Sequence, residues 1–191
     1  MTTIETRYLD DINTKEESRK VEGYAIVFNS DSNDLGFIEQ IEPTALDNDT
    51  ILRSDVFCWL NHDEKRGCLA RSKNGKGSLK LTIDELGLRY EFEAPNTVLG
   101  DELLESIKRK DITSSSFAFT VAKGGDKWEK RDGKYYRTIT KINRLYDVSP
   151  VYTAAYDATS VNCRSFNEMK KIEEEKLNEY WKNLDCEIDL L

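Results

Sequence analysis

Thr113-Ser114-Ser115-Ser116-Phe117-Ala118-Phe119-Thr120 opens on hydroxyls and turns into an alternating run. Read as a strand, it places Phe117 and Phe119 on one face and Ser116, Ala118 and Thr120 on the other. A serine at the start of a strand has a fixed direction, which a nucleophile needs. Serine alone is a poor nucleophile and requires an adjacent base. The chain of 191 residues holds one histidine, His62, in Trp59-Leu60-Asn61-His62-Asp63. If this chain performs serine–histidine chemistry, the base is already assigned.

The length suits one domain with an ordinary core, or one domain plus an appendage. Lys and Arg number 28 against 36 Asp and Glu, a net charge of −8. That balance argues against general binding to nucleic acid or anionic membranes. Cys58, Cys68, Cys163 and Cys186 form no C-x-x-C pair, and one histidine makes a zinc site improbable. They read as reduced thiols, and neither a metal nor a cofactor is expected. Met1-Thr2-Thr3-Ile4-Glu5 lacks the basic and apolar regions of a signal peptide, and no run approaches the roughly 20 apolar residues of a membrane span. The expectation is a soluble intracellular protein.

Residues 1–20 are polar and predict a frayed arm or an edge strand. Val21 to Phe28 is a strand closed by a turn at Asn29 to Asp34, and Phe37 to Ile41 is a second. Pro43 starts a short helix over Thr44 to Asp47. Val56 to Leu60 reads as a buried strand that delivers His62 at its end. Leu79 to Ile83 and Leu88 to Glu93 alternate, with a turn over Asp84 to Gly87. Asn96 or Thr97 caps a helix that turns Leu99, Leu103 and Ile107 inward and ends in Lys108-Arg109-Lys110. After the serine strand comes a charged loop with Gly124, Gly125 and Gly133. Tyr135 to Leu145 then predicts one long strand forming a hairpin with the serine strand. Tyr146 to Val151 prolongs it to Pro150, a residue that breaks central ladders. Past residue 164 the composition shifts: Ser165 and Glu168 form a capping-box pattern ahead of Met169, Ile172, Leu177, Trp181 and Leu184. Residues 166–191 carry eight acidic and four basic side chains, half the net charge. The reading is an arm over 1–20, a body over 21–164 and an acidic helical tail over 165–191. The body is β-rich α+β, a closed or strongly curved antiparallel barrel with helices outside it.

An imidazole that takes a serine proton works best with a carboxylate behind it to hold the tautomer and stabilise the imidazolium. Asp63, Asp111 and Asp147 stand near strand ends. Asp63 directly follows His62, an awkward position from which to face it. Asp147 ends the strand expected beside the serine strand and can return to the same rim. Composition and spacing leave the plainer reading open too, in which the serines and the histidine are structural.

The order of motifs over roughly residues 21–160 adds to this. Gly23 to Phe28 is similar to the opening strand of the prohead maturation proteases of tailed bacteriophages, serine peptidases related to the herpesvirus assemblins. Glu39-Gln40-Ile41-Glu42-Pro43-Thr44-Ala45-Leu46 resembles that family's Glu-x-Ile-x-Pro-Gly-Ala-Phe segment. Asn61-His62-Asp63 matches its histidine motif, and Leu69-Ala70-Arg71 follows where Leu-Gly-Arg is usual. Asp84-Glu85-Leu86-Gly87-Leu88 fits its Asp-x-x-Gly-Leu turn. Ser116-Phe117-Ala118-Phe119 resembles the nucleophile strand Ser-Phe-Gly-Phe. Asp147-Val148-Ser149-Pro150-Val151 stands where the family has Glu-Val-Ser-Pro-Val. The departures are Ser114-Ser115 in place of Gly-Met, Ala118 for glycine, the shorter Asp147 for glutamate, and Ala154 where Pro-Ala-Tyr is common.

The resemblance implies an assemblin-like fold and a catalytic set of Ser116, His62 and Asp147, with Ser115 as the alternative nucleophile. It implies a serine endopeptidase acting on major capsid and scaffolding proteins, and on itself, as a possible homodimer within the assembling procapsid in the host cytoplasm. The alternative is a non-catalytic capsid-assembly factor of the same fold.

Overall fold

Polar residues open the chain, yet they form strands: β1 spans Glu5–Leu9 and β2 Ile12–Thr14. The computed structural model describes residues 4–9, 12–14, 18–152, 170–176 and 178–179. The chain divides into two units, Met1–Tyr156 and Asp157–Leu191. In the first, β3 (Lys20–Val27) buries Val21, Ala25 and Ile26, and β4 covers Ile38–Ile41. Pro43 opens a single 3-10 turn, Pro43–Ala45. Asp47 then caps α1 (Asn48–Leu52), its carboxylate accepting the Thr50 N–H at 2.7 Å. Beyond it lie β5 (Asp55–Cys58), β6 (Ala70–Lys73), β7 (Lys76–Gly77), β8 (Lys80–Ile83) and β9 (Gly87–Glu93). Asp84 closes the β8–β9 turn by accepting the N–H groups of Leu86 and Gly87 at 2.9 and 3.0 Å. A side chain at Gly87 would place its Cβ 1.8 Å from the Ile26 carbonyl oxygen, so only glycine lets β9 run this close to β3.

Thr97 caps α2 (Val98–Lys108), accepting the Gly100 N–H at 3.3 Å, and the helix buries Leu103 and Ile107. The serine strand is β10 (Ser114–Val121), followed by β11 (Asp126–Arg131), β12 (Lys134–Ile139) and β13 (Ile142–Val151). Among the described residues three sheets result, in the orders β1-β10-β13-β5-β6-β7, β2-β3-β9-β8 and β11-β12-β4. The β-rich expectation stands, but the closed barrel does not: among the described residues none of the three sheets returns on itself. Two pairings are parallel, β4 with β12 and β5 with β13, which no antiparallel barrel contains.

The expected hairpin is also corrected. The supposed long strand from Tyr135 breaks at Thr140–Lys141: its second part, β13, pairs antiparallel with β10 as expected, while its first part, β12, pairs with β11 and β4 instead. The break has a backbone cause. The Gly125 carbonyl accepts the N–H groups of both Thr140 and Lys141, at 2.8 and 3.0 Å. A Cβ on Gly125 would lie 2.5 Å from the Lys141 carbonyl oxygen. The charged stretch after Gly125, expected as a loop, is β11, which pairs with β12 from Asp126↔Ile139 to Arg131↔Lys134.

Pro150 does sit in a central strand, between β10 and the segment that follows β5. Its carbonyl accepts the Asn61 N–H at 2.9 Å. Within a strand the N–H and C=O of one residue point to the same side, so the missing proline donor faces that segment and takes nothing from the β10 ladder.

The core is where the sheets meet. Phe117 and Phe119 stack at 5.2 Å and pack with Ile26, Leu88, Tyr90, Leu103, Ile139 and Leu145. Each such buried side chain contributes roughly 1.5–3 kcal/mol. Charge also joins the layers. Arg7 on β1 donates to both oxygens of Glu39 on β4 and, at 2.7 Å, to Glu5. Arg137 on β12 reaches Glu5, Glu39 and Asp126. Side-chain exposure is 7% or less for Glu5, Arg7, Glu39 and Arg137. The first residues thus take the edge-strand alternative, with β1 beside β10. In the second unit residues 170–176 and 178–179 are helical. The boundary near residue 164, the Ser165–Glu168 capping box and Leu177, Trp181 and Leu184 lie outside the described residues.

Candidate active site

Ser116 lies within β10 and is fully buried, opposite Ser149 of β13. Asp147 lies on β13 opposite Ala118 and is 3% exposed. Residues 147 and 149, two apart, project to the same face as Ser116 and Ala118. His62 arrives from the other direction. After β5 the chain passes Trp59 and Leu60, then turns with φ of 54° at Asn61 and 58° at His62. Two consecutive left-handed residues cost about 1–2 kcal/mol each without glycine, and Asn and His are among the side chains that accept the conformation. The turn is held by the Asn61 N–H on the Pro150 carbonyl and the Asp63 N–H on the Leu60 carbonyl, at 2.9 and 3.1 Å.

The three side chains meet. His62 Nε2 lies 2.6 Å from Ser116 Oγ, and His62 Nδ1 hydrogen-bonds Asp147 Oδ2. An ionised carboxylate only accepts, so the Nδ1 proton points at Asp147 and the Nε2 lone pair at the serine hydroxyl. The His62 side chain is 27% exposed while that of Asp147 is 5% exposed, so the acid is shielded and the base is reachable. The other Asp147 oxygen, Oδ1, accepts from the Ser149 hydroxyl. Ser149 Oγ in turn accepts the Trp59 N–H at 3.0 Å. Ser149 was not singled out from the sequence, although the two-residue period from Asp147 marks its face.

The remaining candidates separate cleanly. Ser115 points to the opposite side of β10, its Oγ 2.8 Å from the Tyr90 hydroxyl. Ser114 is buried opposite Val151. Asp63 caps a 3-10 turn through the Lys65 N–H, and Asp111 pairs with Arg109 at 3.1 Å. Cys58 is enclosed; burial, and then the nearby Asp147 charge, push its thiol well above the ordinary range, the opposite of an activated nucleophile. Cys68 is exposed, and Cys163 and Cys186 lie outside the described residues. Among the described residues no three His, Cys, Asp or Glu side chains gather to hold a metal ion. No helix among them is long and apolar enough to cross a membrane.

A serine hydroxyl and a partly exposed histidine set between it and a carboxylate form an arrangement suited to acyl transfer. The chain matches no curated protein. Among solved structures it is similar to the bacteriophage T4 capsid assembly protease, gp21. The TM-score is 0.47 at 12% identity, covering 80% of this chain and 98% of that one. The family model of the caudovirus prohead serine protease matches residues 2–172, a span that includes β1 through β13 and with them Ser116, His62 and Asp147. The chain belongs to the caudovirus prohead serine protease family.

Proposed function

We propose that Ser116, His62 and Asp147 form the catalytic triad with which this prohead protease cleaves scaffolding and major capsid proteins during maturation, and cleaves itself. The observation that carries this reading is the imidazole bridging Ser116 Oγ and the Asp147 carboxylate. In the first step Ser116 Oγ attacks the scissile carbonyl carbon while its proton passes to His62 Nε2. The Asp147 carboxylate stabilises the resulting imidazolium. His62 then returns the proton to the leaving amine, the C–N bond breaks and an acyl-serine remains. Water, activated by the same imidazole, hydrolyses that ester and restores the enzyme. The reaction takes place inside the assembling procapsid, in the host cytoplasm, where both substrates are concentrated. Residues 165–191, acidic and appended to a body that already holds the triad, serve as a targeting segment that self-cleavage later removes.

The test is co-expression with the capsid and scaffolding proteins of the same phage, followed by intact mass of every fragment. The wild-type chain should yield defined fragments, and Ser116→Ala none. Removing a nucleophile that acts with its base costs on the order of 10⁶ in kcat. Unchanged fragmentation by Ser116→Ala would rule the assignment out. A chain ending near residue 164 should still cleave in solution but be missing from purified procapsids.

A further inference from the structure

The acid of this site holds a second hydrogen bond that the three-residue mechanism does not use. Ser149 Oγ donates to Asp147 Oδ1 and accepts the Trp59 N–H at 3.0 Å. The hydroxyl is wholly buried, so neither bond competes with solvent. Trp59 stands three residues before His62, and Asp147 two residues before Ser149. One hydroxyl therefore joins the strand that carries the acid to the segment that carries the base. Without it the carboxylate is fixed only by His62, and rotation about its Cβ–Cγ bond swings Oδ2 off the Nδ1 proton.

We propose that Ser149 is a positioning residue of the catalytic site: it locks the Asp147 carboxylate in the plane that receives His62 Nδ1–H, and it ties that carboxylate to the backbone leading to His62. The inference rests on the reading of Ser116, His62 and Asp147 as the triad. Ser149 touches no substrate atom; it acts through Asp147. A purely structural serine would satisfy the Trp59 N–H and leave the chemistry alone.

The test compares Ser149→Ala and Ser149→Thr with the wild-type chain, using a peptide that spans a cleavage site mapped by the co-expression experiment. A hydrogen bond to a charged group is worth about a 10- to 100-fold change. Ser149→Ala should lower kcat by that factor with KM within about twofold, and Ser149→Thr, which keeps the hydroxyl, should stay within about fivefold of wild type. A second readout needs no turnover. The single histidine gives one Nδ1 proton resonance, strongly downfield while a carboxylate holds it. In ¹⁵N-labelled Ser149→Ala this resonance should move upfield or vanish into solvent exchange, and in Ser149→Thr it should persist. The same spectrum on a Ser116→Ala background reports the lock even if Ser116 proves not to be the nucleophile, so the two readings fail separately. Wild-type kcat in folded Ser149→Ala, or an unmoved Nδ1 resonance, overturns the proposal. If Ser149→Ala does not fold, Ser149→Cys keeps the volume and supplies only a weak donor. Wild-type kcat or an unmoved resonance in that variant is equally fatal.

Discussion

Glu39→Ala should be a severely damaging change remote from Ser116, His62 and Asp147, and its size follows from what Glu39 touches. Its two oxygens receive three donors from two guanidiniums, Arg7 Nε and Nη2 and Arg137 Nη1, and its side chain is 2% exposed. Removing one partner of a buried ion pair costs about 3–5 kcal/mol, because the charges left behind cannot return to water. For a chain of this size each kcal/mol moves the midpoint by about 2–4 °C, so Tm should fall by roughly 6–20 °C. Thermal unfolding followed by circular dichroism measures it. The cluster does not touch Ser116, His62 or Asp147, so kcat at a temperature where the variant is folded should stay within about threefold. The control is Arg7→Met combined with Glu39→Leu, which removes both charges of one pair and leaves Glu5, Arg137 and Asp126 together. That double variant should be within about 2 kcal/mol of wild type, since well-packed apolar replacements of buried pairs are often near neutral.

The same cluster sets an acid limit. Burial pushes the Glu5 carboxyl up, but the hydrogen bond and charge of Arg137, joined by Arg7, outweigh it and hold Glu5 below the ordinary range. Its stabilising contribution is therefore complete above the unfolded glutamate value of about 4.3, and is lost as pH falls through the lower folded value. Tm of the wild type should drop over that window, and Glu5→Gln should lack this part of the slope. A Glu39→Ala variant within 1 kcal/mol of wild type, or a Glu5→Gln variant with an unaltered acid slope, would mean that the buried charge cluster does not hold the sheets together.

Ser115→Ala removes the 2.8 Å bond to the Tyr90 hydroxyl and should cost about 1–2 kcal/mol in urea unfolding while cleavage stays within about threefold; loss of activity would move the nucleophile. Asp147→Glu should slow cleavage rather than improve it, by about 10-fold or more in kcat. The added methylene overshoots an imidazole already in contact with Asp147, and wild-type kcat would contradict that. Leu103→Ala empties a fully buried site under α2 and should cost about 2–5 kcal/mol, measured by the same unfolding curve; less than 1 kcal/mol would mean that the helix is not seated as described.

What could be read from the chain depended on which force orders each segment. β3, β9 and α2 are ordered by apolar periodicity, and Val21, Ala25, Tyr90, Phe92, Leu103 and Ile107 are buried where that period puts them. β1 is ordered by charge. Glu5 and Arg7 read as solvent-facing residues, and their burial depends on Glu39 and Arg137, which are distant in sequence. β11 alternates charged residues on a largely exposed face, so it carries no hydrophobic period. Periodicity also tells which face a residue takes but not which strand lies beside it. Hence the break at Thr140–Lys141 that sends β12 to β4, and the parallel pairs, were not legible, whereas the placing of Asp147 beside the serine strand was.

The candidate site was more legible than the sheet order because its parts are local motifs whose spacing survives any arrangement of the outer strands. What no motif conveyed is how a short acid reaches the base. An aspartate ends about 1.5 Å nearer its backbone than a glutamate, so the imidazole must come to it. The left-handed pair Asn61–His62 turns the chain toward β13. Two bonds fasten the turn there, from the Trp59 N–H to Ser149 Oγ and from the Asn61 N–H to the Pro150 carbonyl. Both acceptors belong to the Asp147-Val148-Ser149-Pro150 run that also supplies the acid. That run thus provides the carboxylate, the hydroxyl that orients it and the carbonyl that docks the histidine turn. Its proline withholds a donor on the side where the turn approaches, so no N–H of residue 150 is left there without an acceptor. The short reach of an aspartate is met in the backbone, at the place where the two segments are already hydrogen-bonded.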